Sequence, residues 1–144
     1  MTPQPPLLII REGQSFWVEL RPVNEWSATL QAFREGCYCG GVCYDSTGGL
    51  WPIVNAVLRE RPSLAQRLLP GRRVPVEIRF GTRSHADLRD IVSRIAEILE
   101  SESQFNESLP VPLPDILNRF EGAHSPSEVI RIADEYMGAK AAQS

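Results

Sequence analysis

The chain lacks every short motif that would declare its chemistry. It has no Gly-x-x-x-x-Gly-Lys-[Ser/Thr] phosphate loop, no Gly-x-Gly-x-x-Gly, no Gly-x-Ser-x-Gly and no Cys-x-x-Cys. Nucleotide cradles, nucleophile elbows and dithiol redox centres of the usual form are therefore excluded. Long apolar runs are missing too. Leu7–Ile10 is far shorter than a signal-peptide core or a membrane span, and Met1–Pro6 carries no positive charge, so a cytoplasmic protein is expected. Lysine is nearly absent, with Lys140 alone against 14 arginines, a bias expected of a GC-rich bacterial genome rather than of function. Only two histidines and three cysteines are present. An odd cysteine count in that compartment makes free thiols the default. No internal repeat or low-complexity block occurs.

What is present fits one domain of 144 residues with 42% hydrophobic and 23% charged side chains. Residues 1–6 and 139–144 are expected to fray. A net charge of −3 is too mild to demand nucleic acid or a membrane as partner. The charge is uneven. Residues 1–83 hold 10 basic and 7 acidic side chains, whereas 84–144 hold 5 and 11. The acidic excess falls on expected helices, where it reads as solvated surface or as a face offered to a basic partner.

Strands are read at Leu7–Arg11, Ser15–Arg21, Cys37–Asp45, Leu50–Leu58 and Val74–Phe80, with period-two alternation in Ser15–Arg21 and Val74–Phe80. Glu12-Gly13-Gln14 and Asp45–Gly49 supply hairpin turns. Asn24–Glu35 reads as a helix, with Asn24 as cap and Gly36 as terminator; alternation at Trp26, Ala28, Leu30 and Ala32 makes a strand its rival. A short helical turn is expected within Pro62–Leu69. The strongest helix spans Ser84–Glu100. Leu88, Ile91, Val92, Ile95, Ile98 and Leu99 form one stripe, and Ser84 stands as cap. A connector over 101–114 leads to a short helix at Asp115–Glu121. Ser125-Pro126-Ser127-Glu128 then opens a last helix, which Gly138 closes. Short connections favour antiparallel pairing. The expected fold is thus α+β, with a sheet of about five strands in the order ββα-ββ-(α)-β-ααα covered by helices in two layers.

Cys37-Tyr38-Cys39-Gly40-Gly41-Val42-Cys43 is the stretch closest to chemistry. On one strand the three cysteines would share a face. Three thiols lack the fourth ligand of a structural zinc site, and flat-strand spacing suits tetrahedral zinc poorly. Cys37, Cys39 and Cys43 are therefore expected to pack as small hydrophobes, with a metal or redox thiol site as the alternative. Gly40-Gly41 reads as a bulge or a point of close packing. His85 and His124 each lack an evident orienting partner for acid–base work. Arg59, Arg61, Arg67, Arg72 and Arg73 bracket a proline-bearing segment that could take phosphate or RNA, but no aromatic interleaves them for base stacking. Most of Trp17, Trp26, Trp51, Tyr38 and Tyr44 are expected in the core; Trp17 or Tyr38 on an uncovered sheet face would make that face a binding surface.

By elimination, the sequence points to a non-enzymatic protein-binding module of the inhibitor, immunity-protein or adaptor kind. It would use an aromatic sheet face and arginines (Trp17, Tyr38, Arg59, Arg61, Arg72, Arg73) or an acidic helix face (Glu97, Glu100). No cofactor is implied, and another protein is the expected partner. A thiol- or metal-dependent enzyme or sensor, and a domain with a small-ligand pocket walled by Trp and Tyr between sheet and helices, are the alternatives.

Overall fold

Leu7, Leu8, Ile9 and Ile10 are all fully buried, and they show why the chain folds as it does. An uninterrupted apolar run in a strand needs both faces covered. Leu8 and Ile10 enter one core with Phe16, Tyr44 and the helices, whereas Leu7 and Ile9 enter a second with Trp26, Tyr38 and Trp51. The computed structural model describes residues 2–11, 14–105 and 110–142.

The described residues form an α+β fold, a curled antiparallel sheet with five helices. The strands are β1 (Leu7–Arg11), β2 (Ser15–Glu19), β3 (Ser27–Thr29), β4 (Val42–Asp45), β5 (Gly49–Leu58), β6 (Arg73–Phe80) and β7 (Ser84–His85). The helices are α1 (Leu30–Arg34), α2 (Leu64–Leu68), α3 (Leu88–Phe105), α4 (Leu113–Glu121) and α5 (Pro126–Ala142). Strand order is β2-β1-β4-β5-β6-β3, with β7 beside β5.

The curl originates in β5. Its first residues pair with β4, Tyr44 opposite Leu50 and Val42 opposite Pro52. From Ile53 onward it pairs with β6, with a register shift between Ile53 and Asn55. Such an irregularity bends a strand and increases its twist. Pro52 is accommodated at the point where β4 pairing ends. The curl brings side chains from both edges together on its inner face. Trp17 of β2 lies 6.4 Å from Tyr38, which stacks on Trp26 at 5.7 Å; Trp26 and Trp51 each meet Phe80 edge-on. The outer face carries Phe16, Val18 and Tyr44 and is covered by the apolar stripes of α3, α4 and α5.

Several local expectations give way to tertiary pairing. Within 24–35 only Leu30–Arg34 is helical. Val23–Glu25 forms a single 3-10 turn, and Ser27–Thr29 pairs with β6, Ala28 opposite Val74. Thr29, not Asn24, caps α1, its Oγ1 accepting from the Ala32 amide at 3.1 Å. Gly36, at φ +74°, does terminate it, in the left-handed region that glycine enters without steric cost. Ser84 is not a helix cap. It lies in β7 opposite Leu50, and the Ala86 amide donates to the Gly48 carbonyl at 2.8 Å. Asp87 caps α3 instead, its Oδ1 accepting from the Arg89 amide at 3.1 Å. Helix α3 extends into the expected connector, α4 begins two residues early, and α5 continues through Gly138 to Ala142. The turn residues Glu12 and Gly13, connector residues 106–109 and tail residues 143–144 lie outside the described residues, although the β1–β2 pairing that the turn would join is present.

Candidate functional site

The cysteine run does not form one strand. Residues 35–40 turn, and β4 begins only at Val42. Gly36 and Gly40 both take positive φ, which breaks the extended backbone on which the shared-face argument rested. Cys43 is buried in the inner core, Cys37 is half-buried and Cys39 is exposed. Burial pushes the Cys43 thiol well up and also raises Cys37, outweighing the nearby Arg11. Raised thiol pKa values suppress the thiolate that nucleophilic or redox chemistry needs. Among the described residues no group of three or more His, Cys, Asp or Glu is placed to hold a metal. Gly41 is a point of close packing, since a Cβ there would come 3.3 Å from the Tyr38 carbonyl and 3.4 Å from Ile53 Cδ1.

The aromatic face is the inside of the curl. Tyr38 is buried, and its hydroxyl donates to the Ser27 carbonyl at 3.2 Å. Burial, reinforced by Cys37 and Glu19, pushes its phenol up to about 12. Trp17 is half-buried and packs against the same core. Tyr38 is therefore no surface residue, and Trp17, Trp26, Tyr38 and Trp51 lie on the face of the sheet opposite α3, α4 and α5, whereas Tyr44 is buried beneath those helices.

His85 and His124, far apart in sequence, line one shallow surface cavity of about 390 Å³ together with Thr47 and Asp87. The Asp87 carboxylate is engaged with the Arg89 amide. Glu128 accepts from the His124 amide, not from its ring. Among the described residues neither imidazole is held by a carboxylate, so the orienting group a general base needs is missing. Behind this cavity Asp45, only 5% exposed, pins the β4–β5 turn. Its Oδ1 accepts from the Thr47 amide (2.9 Å), the Thr47 hydroxyl (2.6 Å) and the Gly49 amide (2.8 Å), and its Oδ2 accepts from Trp51 Nε1 (2.9 Å). Burial raises the Asp45 pKa, but these hydrogen bonds outweigh it and hold the group below its ordinary value.

The segment joining β5 to β6 differs in kind. Ser63 and Gln66 form a reciprocal capping box around α2, at 3.2 and 2.8 Å. Gln66 Nε2 also donates to the Arg73 carbonyl at 3.2 Å, and Arg59 Nε donates to the Val76 carbonyl at 3.0 Å. Polar contacts thus moor the segment at both ends, yet α2 buries no residue. Leu64, Leu68 and Leu69 are 70%, 68% and 49% exposed. Leu64 and Leu68, four apart, share a helix face. A cluster of large apolar side chains on an ordered, solvent-facing element is the usual mark of an interaction surface.

Arginines surround these leucines. Arg59 and Arg73 hold the fold: Arg73 Nε donates to Ser27 Oγ at 2.8 Å and ties β6 to β3. Arg61, Arg67 and Arg72 are exposed, and among the described residues none lies within ion-pair distance of a carboxylate. Arg34 of α1 joins them, lining with Arg67 and Arg72 a cavity of about 260 Å³. Sequence reasoning missed Arg34 because 25 residues or more separate it from the others. On the acidic side, Glu97 and Glu100 are exposed on α3 and among the described residues have no ion-pair partner, whereas Asp90, Glu102, Glu128 and Glu135 are paired with neighbouring cations. Among the described residues no helix is long and apolar enough to cross a membrane. Comparison with protein-family models, curated proteins and solved structures returns no match for this chain.

Proposed function

We propose that this chain is a non-enzymatic protein-binding module that docks its partner through the α2 projection. The observation that carries this reading is the exposure of Leu64, Leu68 and Leu69 on a helix that is capped and tethered but buries nothing. A segment serving only to connect β5 with β6 has no need of three solvent-facing leucines. Burying two of them under a partner is worth about 3–6 kcal/mol in total, on the order of 10²–10⁴ in affinity. The candidate catalytic groups support the non-enzymatic reading, since the thiols are dispersed and the histidines lack an orienting carboxylate.

The test is site-specific photo-crosslinking in the producing cell from position 68, with Asp134 on the far side of α5 as control. The protein captured from position 68 is then purified and titrated against the wild type and a Leu64→Ser/Leu68→Ser variant. An affinity loss of at least about a hundredfold with an unchanged melting curve is expected. Equal capture from Asp134, or an unchanged affinity in the variant, refutes the assignment. Capture from Glu97 instead would move the interface to the acidic helix face.

A further inference from the structure

We infer that the docked segment is acidic as well as apolar, and that the cavity between α1 and α2 takes one of its carboxylates through Arg34, Arg67 and Arg72. This inference rests on the docking role of α2 and specifies the partner's chemistry. Arg34 arrives from one end of the sheet and Arg67 and Arg72 from the β5–β6 connection, and all three line one cavity of about 260 Å³. Among the described residues no Asp or Glu contributes to that lining. Like charges converging without a counter-charge repel one another, and an anion between them removes the repulsion. Both walls are fixed in place, α1 by its Thr29 cap and α2 by the Ser63–Gln66 box and the Gln66 bond to β6. A guanidinium offers paired, planar donors that match a carboxylate bidentately.

The lining also decides what carries the carboxylate. Leu68 and Leu69 border the same cavity as the arginines. A free inorganic anion would leave them wet, whereas a peptide with alternating acidic and apolar side chains covers both. Among the described residues no aromatic side chain lines the cavity to give the stacking platform that single-stranded nucleic acid uses. The sequence around the site has the matching sign, with five arginines and one glutamate, Glu60, between residues 59 and 73.

The experiment uses the full chain and a short fluorescein-labelled peptide of alternating Leu and Glu, read by anisotropy. The same peptide with Gln in place of Glu is the comparison. The Glu peptide is expected to bind at least about tenfold more tightly, with the advantage shrinking between about 50 and 300 mM NaCl. Arg67→Gln/Arg72→Gln should remove that advantage, and Leu64→Ser/Leu68→Ser should weaken both peptides. All four positions are exposed, so both variants should fold, which circular dichroism verifies. Equal affinity for the two peptides, weakened only by the leucine variant, overturns the acidic preference and leaves the docking role intact. Binding to neither peptide also overturns the inference, while the crosslinking result judges the docking role separately. A third arm offers phosphatidylserine-containing vesicles. Co-sedimentation that depends on the arginines, without any peptide preference, overturns the inference in favour of an anionic lipid surface.

Discussion

Replacing Asp45 by Asn exchanges one oxygen for an NH2 group at nearly constant volume, yet it should be among the costlier surface-proximal substitutions in this chain. Oδ1 of Asp45 accepts three hydrogen bonds and Oδ2 accepts one from Trp51 Nε1, with Arg83 Nε at 3.9 Å. An amide has one accepting oxygen. If that oxygen keeps the three bonds from Thr47 and Gly49, the new NH2 faces the Trp51 N–H, donor against donor. Turning it the other way breaks three bonds to save one. The better arrangement still loses one charge-assisted hydrogen bond and strands buried donors, a cost of about 2–4 kcal/mol. In a chain of this size each kcal/mol lowers the melting temperature by roughly 2–4 °C. Urea unfolding followed by far-ultraviolet circular dichroism at neutral pH measures the effect, with the denaturant slope expected to stay unchanged. The pH dependence has a defined sign. The folded-state pKa of Asp45 lies below its unfolded value of about 3.9, so its stabilisation is complete above that value and lost as pH falls through the folded one. The gap between wild type and Asp45→Asn should therefore narrow below about pH 4. A destabilisation under about 0.5 kcal/mol at neutral pH would refute the view that this carboxylate anchors the turn.

Three further outcomes are expected. Gly49→Ala places a Cβ 2.5 Å from Asp45 Oδ2 and 2.6 Å from Arg83 Nε; Arg83 can swing aside but Asp45 is held, so a loss of about 1–3 kcal/mol should appear in the same urea titration. In the native protein a maleimide should label Cys39 first and Cys37 more slowly, and should reach Cys43 only on unfolding, as mass spectrometry of time points would report. Glu97→Gln/Glu100→Gln should change stability by less than about 0.5 kcal/mol, because both side chains are exposed and form no ion pair among the described residues; a larger change in thermal melting would show that the acidic face contributes to the fold.

The strands that carry strong alternation were legible in the sequence because one face of each is buried. Val76, Ile78 and Phe80 of β6 face the inner core, as their spacing predicts. The α3 stripe was legible for the same reason, at helical period. Legibility failed where a local signal competed with a distant strand. Ser84 has the chemistry of a helix cap, but the β5 backbone offered Ser84 and His85 a ladder. Asn24 has the same chemistry, but Pro22 and the pairing of Ala28 with Val74 turned its segment toward β6. In the candidate interface, Arg61, Arg67 and Arg72 were visible as a basic segment. Arg34 was not, and the leucines beside it read as an ordinary helical turn, since nothing in a sequence says which apolar residues will be left uncovered.

The sequence by itself determined the α+β class, the antiparallel pairing and the large apolar stripes, because these follow from the period of the side chains and the shortness of the connections. Only the tertiary structure decided which way each element faced. The bend in β5 closed the aromatic face on itself, buried Tyr38 and left only α1 against the inner core, with α3, α4 and α5 on the other face. It also decided that Leu64, Leu68 and Leu69 stay in solvent while every apolar residue of β1 does not. Burial depends on what packs against a residue, and here the packing partners come from the two edges of a curled sheet, whose meeting is set by the register of strands far apart in the chain.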